Sequence, residues 1–267
     1  MNDADTELCK TFISITDELK DHISIESIGS DGFVFGYNEN IPKLSASLIK
    51  LPILFYAFKN PRIDQTQLQQ TIRFDKGKIV GGSGVLQLLS GREWTVKDLL
   101  GLMISVSDNT ATNLILDFFG IDQIQNWIAE QGLTETKIER KMMDEVAQLK
   151  GRTNRISAHD ANLIIRRIFS KVDPFPDEVK FWMLHQQFRD KLPGLFDEKT
   201  QPVVVYNKTG EMEEIDHDAA YFTCNGHSMA VTVMTSGIQN RQEALIAIQD
   251  IGNAIANYLI KRSEKKD

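Results

Sequence analysis

Only two cysteines, Cys9 and Cys224, occur in 267 residues, which excludes a disulfide framework, and two isolated thiols so far apart do not resemble a metal site. Both read as buried thiols, and neither a metal nor a cofactor is expected. No apolar run approaches the roughly 20 residues needed to span a bilayer. The longest candidates, around Leu51 to Ala57 and Val203 to Tyr206, read as core elements, so no membrane partner is expected. An excess of basic residues is missing too. The formal charge is -7, which leaves a phosphate backbone no electrostatic reason to bind and excludes nucleic acid as a partner. The start, Met1-Asn2-Asp3-Ala4-Asp5, is acidic and lacks the basic residues and apolar run of a secretory leader. As written, the chain is expected to be cytoplasmic; it would be secreted if a leader had been removed.

Apolar residues make up 42% and charged residues 25%, close to the soluble globular average, so fold class has to come from pattern. Leu8, Phe12, Ile15 and Leu19 share one face of an opening helix. Two β-like runs, Ile23 to Ile28 and Phe33 to Tyr37, flank the turn signal Gly29-Ser30-Asp31-Gly32. Ser47 to about Lys59 is helical, with Pro52 as a possible bend. Helices follow over Val96 to Val106, capped by Thr95, then Thr110 to Phe119 and Ile121 to Gln131.

After Pro193-Gly194 the pattern turns to strands, Val203 to Lys208, Ala219 to Cys224 and Ser228 to Thr235. A closing helix carries the stripe Ala244, Leu245, Ile248, Ile251, Ile255, Tyr258 and Leu259, with a frayed lysine-rich tail beyond it. This order predicts an α/β fold of two lobes. Residues 1–40 and 191–267 would form an antiparallel sheet covered by the N- and C-terminal helices, and residues 41–190 an all-α lobe. A monomer is expected.

Three short motifs carry candidate chemistry: Ser47-Leu48-Ile49-Lys50, Ser107-Asp108-Asn109 and Lys208-Thr209-Gly210. Each is weak alone. Ser107-Asp108-Asn109-Thr110 reads equally as a helix cap, Lys208-Thr209-Gly210 as the end of a strand, and Ser263-Glu264-Lys265-Lys266 is a second Ser-x-x-Lys in the charged tail. The order and spacing are what distinguish the set: Ser47 and Ser107 lie 60 positions apart, Ser107 and Lys208 101. That arrangement resembles the class A β-lactamases and penicillin-recognising serine hydrolases. The likeness extends through Gly82-Ser83-Gly84-Val85-Leu86, Thr95-Val96-Lys97-Asp98-Leu99-Leu100 and Ser107 to Asn113, and so covers nearly the whole chain.

The chemistry is consistent with that resemblance. A serine hydroxyl is a poor nucleophile until a base takes its proton, and Lys50, one helical turn beyond Ser47, can reach it. Lys50 acts as a base only when neutral, and burial beside the positive Lys208 would disfavour its charged form. The resemblance implies the remaining roles. The site would lie in the cleft between the lobes, with the N–H groups of Ser47 and Glu211 holding the oxyanion, a contribution of about 10²–10³-fold in acyl transfer. Ser107 would relay the proton to the leaving nitrogen and Asn109 would bind the substrate's amide. Lys208, Thr209 and Gly210 would form the substrate-binding strand, the first two facing a carboxylate.

Class A β-lactamases also carry a glutamate followed by x-x-Leu-Asn, which activates the water that frees the acyl-enzyme. The matching region here reads Arg140-Lys141-Met142-Met143-Asp144-Glu145-Val146-Ala147-Gln148-Leu149, without that signature. Asp144 or Glu145 is the candidate base, and both read equally well as solvated carboxylates. His159, His217 and His227 lack a Gly-x-Ser-x-Gly elbow; His217-Asp218, taken to precede a strand, reads as a structural or rim feature, and Trp94 and Trp182 as core. Three functions remain open. The first is hydrolysis of a β-lactam through an acyl-enzyme; the second uses the same serine on an ester or D-alanyl peptide. The third is a non-catalytic penicillin-binding or sensor protein. The partner in each is a small molecule, a β-lactam or a related amide or ester with a carboxylate.

Overall fold

A computed structural model of the protein describes residues 3–195 and 202–264. Met1 and Asn2 of the acidic start, and Lys265 and Lys266 of the tail, lie outside the described residues. The chain opens with α1 (Asp3–Leu19) and the hairpin β1 (Ile23–Gly29) and β2 (Val34–Tyr37), followed by β3 (Lys43–Leu44), α2 (Lys50–Lys59), α3 (Gln65–Leu68), β4 (Thr71–Arg73) and β5 (Glu93–Thr95). Next come α4 (Val96–Ser105), α5 (Asn109–Phe119), α6 (Ile121–Glu130), α7 (Glu145–Leu149), β6 (Arg155–Ile156), α8 (Ala158–Ile168) and α9 (Asp177–Leu184). The chain returns to the sheet with β7 (Val204–Met212), β8 (Ile215–Cys224) and β9 (His227–Ser236), and ends in α10 (Arg241–Glu264).

Five strands pair antiparallel in the order β2-β1-β9-β8-β7, so the two ends of the chain build one sheet. Strand side chains alternate between faces, and each face buries a different core. On one side α1 and α10 bring Phe12, Ile251 and Ile255 against Ile25, Phe222, Val231 and Val233. On the other, Ala219, Ala230 and Met234 join a core with Leu51, Leu99, Ile115 and Ile165 of the helical segment. Two short ladders, β3-β6 and β4-β5, interrupt that helical segment. Local chemistry sets its boundaries. Thr95 caps α4 through the Asp98 N–H and Asp108 caps α5 through that of Ala111, and Gly120, at φ 83, ends α5 and starts α6. No helix among the described residues is long and apolar enough to cross a membrane.

Several local readings are corrected. Strand β7 runs on to Met212, so Lys208-Thr209-Gly210 lies inside a strand, because pairing with β8 continues past the point where the apolar alternation stops. Strand β8 already begins at Ile215, which puts His217 and Asp218 within it, both fully buried. Ser47 lies in a short 3₁₀ turn, Ala46–Ile49, ahead of α2. Cys224 is buried but Cys9 is only partly so, since α1 turns it toward the edge of its core. Ser263 sits in the last turn of α10, its hydroxyl on the Ile260 carbonyl.

Candidate active site

The turn carrying Ser47 rests closely against Gly210 of β7. A Cβ on Gly210 would come within 3.2 Å of Ala46 Cβ, the Leu48 nitrogen and the Ser45 carbonyl, tighter than ordinary contact. Ala46 enters the turn at φ 44, a left-handed conformation that an L-residue adopts only under constraint. The adjacent strand presents a free backbone donor. Asp216, opposite Glu211, gives its N–H to the Thr235 hydroxyl of β9 and accepts from that hydroxyl on its carbonyl, so its backbone faces β9. The Glu211–Asp216 pair is therefore the non-bonded kind in the antiparallel ladder, and the Glu211 N–H points out of the sheet on the side of the turn.

Three separate parts of the chain converge beside this edge. Lys50 Nζ lies 3.0 Å from Ser47 Oγ, 2.7 Å from the Ser107 carbonyl, 3.0 Å from Ser107 Oγ and 2.8 Å from Asn109 Oδ1. Lys208 Nζ reaches the same Ser107 hydroxyl at 3.0 Å and donates to the Thr209 carbonyl at 2.7 Å. Both lysines are fully buried. Burial is the main reason the Lys50 ammonium is disfavoured, with the charge of Lys208 adding to it and Asp108 opposing, so its pKa falls well below the ordinary lysine value. Burial likewise brings Lys208 down to about 7, against the pull of Asp218. Ser107 is itself left-handed, at φ 53, which turns both its carbonyl and its hydroxyl toward Lys50.

Asp108 locks the roof of the site. One of its oxygens caps α5; the other accepts the Val85 and Leu86 N–H groups at 2.7 and 2.8 Å. A Cβ on Gly84, at φ 119, would meet the Asp108 carboxyl carbon at 2.3 Å, so this approach requires glycine. Asn109 extends the same lock, donating from its backbone to the Ser83 carbonyl and from its side chain to that of Gly81.

The crevice, about 400 Å³, is lined by Ser47, Ser83, Ser107, Phe188, Thr209, Glu211, Met212, Glu213, Glu214 and Arg241. The Glu211 side chain turns aside, accepting from Lys191 at 3.1 Å and Arg241 at 2.6 Å, and both cations also pair with buried Asp216. Asp144 and Glu145 are not among the lining residues. Asp144 caps α7 through the Ala147 N–H at 2.9 Å, and Glu145 is exposed in the first turn of that helix. Of this segment, Met143 lies beside Gly82. The position a Gly82 Cβ would take lies 3.5 Å from its sulfur and 2.8 Å from Asn109 Nδ2.

Ser47, Lys50, Ser107, Asn109, Lys208, Thr209, Gly210 and Glu211 thus lie together, while Asp144 caps α7 and Glu145 is exposed on it. Lys191, Arg241 and His217 were not singled out for this site from sequence. They belong to no short motif, and only the β7-β8 register, with His217 opposite Gly210 and Asp216 opposite Glu211, brings them to it. Among the described residues no group of three or more His, Cys, Asp or Glu is arranged to hold a metal ion.

With this geometry in hand, the likenesses to other proteins fit together. The model of a family described as the β-lactamase enzyme family matches residues 14–259. The chain is similar in structure to a β-lactamase from Sphaerobacter thermophilus DSM 20745, with 23% identity, a TM-score of 0.82 and coverage of 96% of this chain and 97% of that one. It is similar to a single-site mutant of PBP-A, seen as an acyl-enzyme complex with penicillin G, at 23% identity and a TM-score of 0.81 over 95% of this chain and 97% of that one. A shorter stretch of 102 residues is 28% identical to the β-lactamase regulatory protein BlaB of Streptomyces cacaoi, covering 38% of this chain and only 33% of that protein.

Proposed function

The chain belongs to the β-lactamase enzyme family, and from that premise we propose that Ser47 is acylated by a β-lactam, or by a related amide or ester carrying a carboxylate, to give a serine-bound acyl-enzyme. One observation carries the reading: Ser47 Oγ lies 3.0 Å from a buried amine whose ammonium form is disfavoured. The proton count agrees. The Ser107 carbonyl and Asn109 Oδ1 can only accept, so they occupy two N–H groups of Lys50. What remains on a neutral amine is one lone pair, facing the two serine hydroxyls. It takes the Ser47 proton as Oγ attacks the carbonyl carbon.

The carbonyl oxygen becomes an oxyanion held by the N–H groups of Ser47 and Glu211. As the C–N bond breaks, the Ser107 hydroxyl gives its proton to the departing nitrogen and is reprotonated from the lysine side, which its contacts with both Lys50 and Lys208 support. Lys208 and Thr209 face the substrate carboxylate, and the unused N–H of Asn109 Nδ2 its amide. The penicillin G acyl-enzyme of the PBP-A mutant is in keeping with this chemistry.

A second reading concerns the acyl-enzyme's fate. With Asp144 holding the α7 cap through Oδ1 and Glu145 exposed, the ester persists as in a penicillin-binding protein, and turnover of lactams is slow. Mixing the purified protein with a chromogenic cephalosporin and recording both colour and intact mass tests both readings. A mass adduct on the wild type, absent from Ser47→Ala and retained in Ser263→Ala, is expected, with colour limited to about one equivalent. Sustained colour without an adduct would replace slow release by efficient hydrolysis, and an adduct surviving in Ser47→Ala would overturn the nucleophile. Neither colour nor adduct would move the substrate to an ester or D-alanyl peptide.

A further inference from the structure

His217 stands directly behind the nucleophile's turn. It is opposite Gly210 in the β7-β8 register, so the two residues present to the same sheet face, and that is the face against which Ala46 and Leu48 rest. The ring is fully buried. Its Nε2 lies 2.8 Å from the Leu44 carbonyl, which can only accept, so Nε2 carries the hydrogen. Burial pushes its pKa down to about 4, so the ring is neutral across the working range. A buried imidazole that has to satisfy its polar nitrogens inside the protein is a poor filler for a core that could hold leucine.

The bond's other end explains why it is there. Leu44 pairs with Arg155 in the β3-β6 ladder, and the next N–H, that of Ser45, bonds the Asn154 carbonyl. One residue later the chain swings into Ala46 at φ 44. His217 holds the Leu44 carbonyl from the sheet side, just ahead of a peptide that has to turn left-handed to aim the Ser47 hydroxyl and N–H into the crevice.

We propose that His217 is a positioning residue for acylation: its Nε2–H holds the Leu44 carbonyl and thereby keeps the Ala46 turn, and with it Ser47, in attacking geometry. The inference rests on Ser47 being the acylated residue. It requires a hydrogen-bond donor at the Nε2 position and no titration of the ring. A glutamine side chain puts an amide N–H at that position, whereas leucine fills the space without one.

The experiment measures, by stopped-flow with the chromogenic cephalosporin and by intact mass, the acylation rate constant and the non-covalent Kd for wild type, His217→Gln and His217→Leu, each normalised to its folded fraction by near-ultraviolet circular dichroism. His217→Leu is expected to lose about 10²-fold in the acylation rate constant, the scale of a misplaced oxyanion donor, with Kd within about threefold, since the β7 edge and Lys208 are untouched. His217→Gln is expected within about fivefold of wild type in both. Should His217→Leu acylate like wild type once normalised, or Gln and Leu fall equally, the positioning role is overturned. A His217→Leu protein that does not fold leaves the decision to His217→Gln: a loss as large as 10²-fold there would also overturn it. If wild type forms no adduct at Ser47, the acylation reading fails first, a result distinct from each of these.

Discussion

Around Ser47, side chains from α2, from the head of α5 and from β7 meet within 3.0 Å of one another, and glycine already stands at the positions where a side chain would block their approach. The 140–149 segment, on the far side of Asn109, presents nothing of the kind. Its carboxylates either cap a helix or face solvent, and the thioether of Met143, across Gly82 from Asn109, cannot accept a proton from water. Forming an acyl-enzyme needs a base against the serine, whereas releasing it needs a base against a water on the open side. The first half is built into the described structure to hydrogen-bond precision. The second has candidates in sequence but no such geometry among the described residues.

The most damaging change is Lys50→Ala. It removes the amine that faces the Ser47 hydroxyl and also orphans Asn109 Oδ1 and the Ser107 carbonyl. General-base loss of this type costs about 10³-fold, so the acylation rate constant is expected to fall by that much in single-turnover measurements with a cephalosporin. An acylation rate within tenfold of wild type would remove the contrast by showing that the well-built half is not needed.

The contrast sharpens if the missing half can be supplied. Met143→Glu would put a carboxylate where the sulfur now lies, near Asn109 and thus on the Lys50 side of the crevice. The acyl-enzyme's lifetime, followed by intact mass after removal of free lactam, is expected to shorten by about 10²-fold, the typical worth of a positioned base. The left-handed φ of 61 at this residue is tolerated by glutamate as readily as by methionine. An unchanged lifetime would mean that release is limited by something other than a base at this position.

How much of this was legible in the chain depends on how local the signal was. Ser47 and Lys50 sit one turn apart, and Ser107, Asp108 and Asn109 form a cap with its own sequence signature, so side-chain types and spacing were enough. The end of β7 was not. Its polar residues face the crevice and abandon apolar alternation, and its hairpin uses Glu213-Glu214, with Glu214 at φ 55, where turn chemistry favours glycine or asparagine. With that hairpin hidden, its register was hidden as well. Neither the burial of His217 nor the clamp of Lys191 and Arg241 on Glu211 follows from any local pattern. The left-handed Ala46 is set by the fit of Gly210 against the turn, a tertiary contact that alanine's own preferences oppose.

A pH profile probes the lysine pair with a more modest effect. Acylation needs Lys50 neutral, so it rises with pH through that residue's depressed pKa. Recognition of a carboxylate needs Lys208 protonated, and since its pKa is about 7 in the folded protein, binding weakens as pH rises beyond that value. The acylation rate constant over Kd is therefore expected to fall by about tenfold per pH unit on its alkaline side for a carboxylate-bearing lactam. For an ester without a carboxylate that limb should vanish. The same limb for both substrates would assign the group to the chemical step and not to recognition.

The smallest expected effect falls on the residues that resemblance nominated. Glu145 is exposed on α7 and lines no part of the crevice, so Glu145→Gln is expected to leave acylation and acyl-enzyme lifetime within about twofold, the scale of an exposed charge change away from special features. Asp144→Asn keeps an oxygen that can cap the Ala147 N–H, and asparagine caps as well as aspartate, so α7 stays formed and the chemistry is again unmoved. Because the fold survives both substitutions, mass-spectrometric lifetimes compare like with like. A tenfold longer acyl-enzyme in either variant would identify a working base in the 140–149 segment, and would mean that this segment moves its carboxylate into the crevice once Ser47 is acylated.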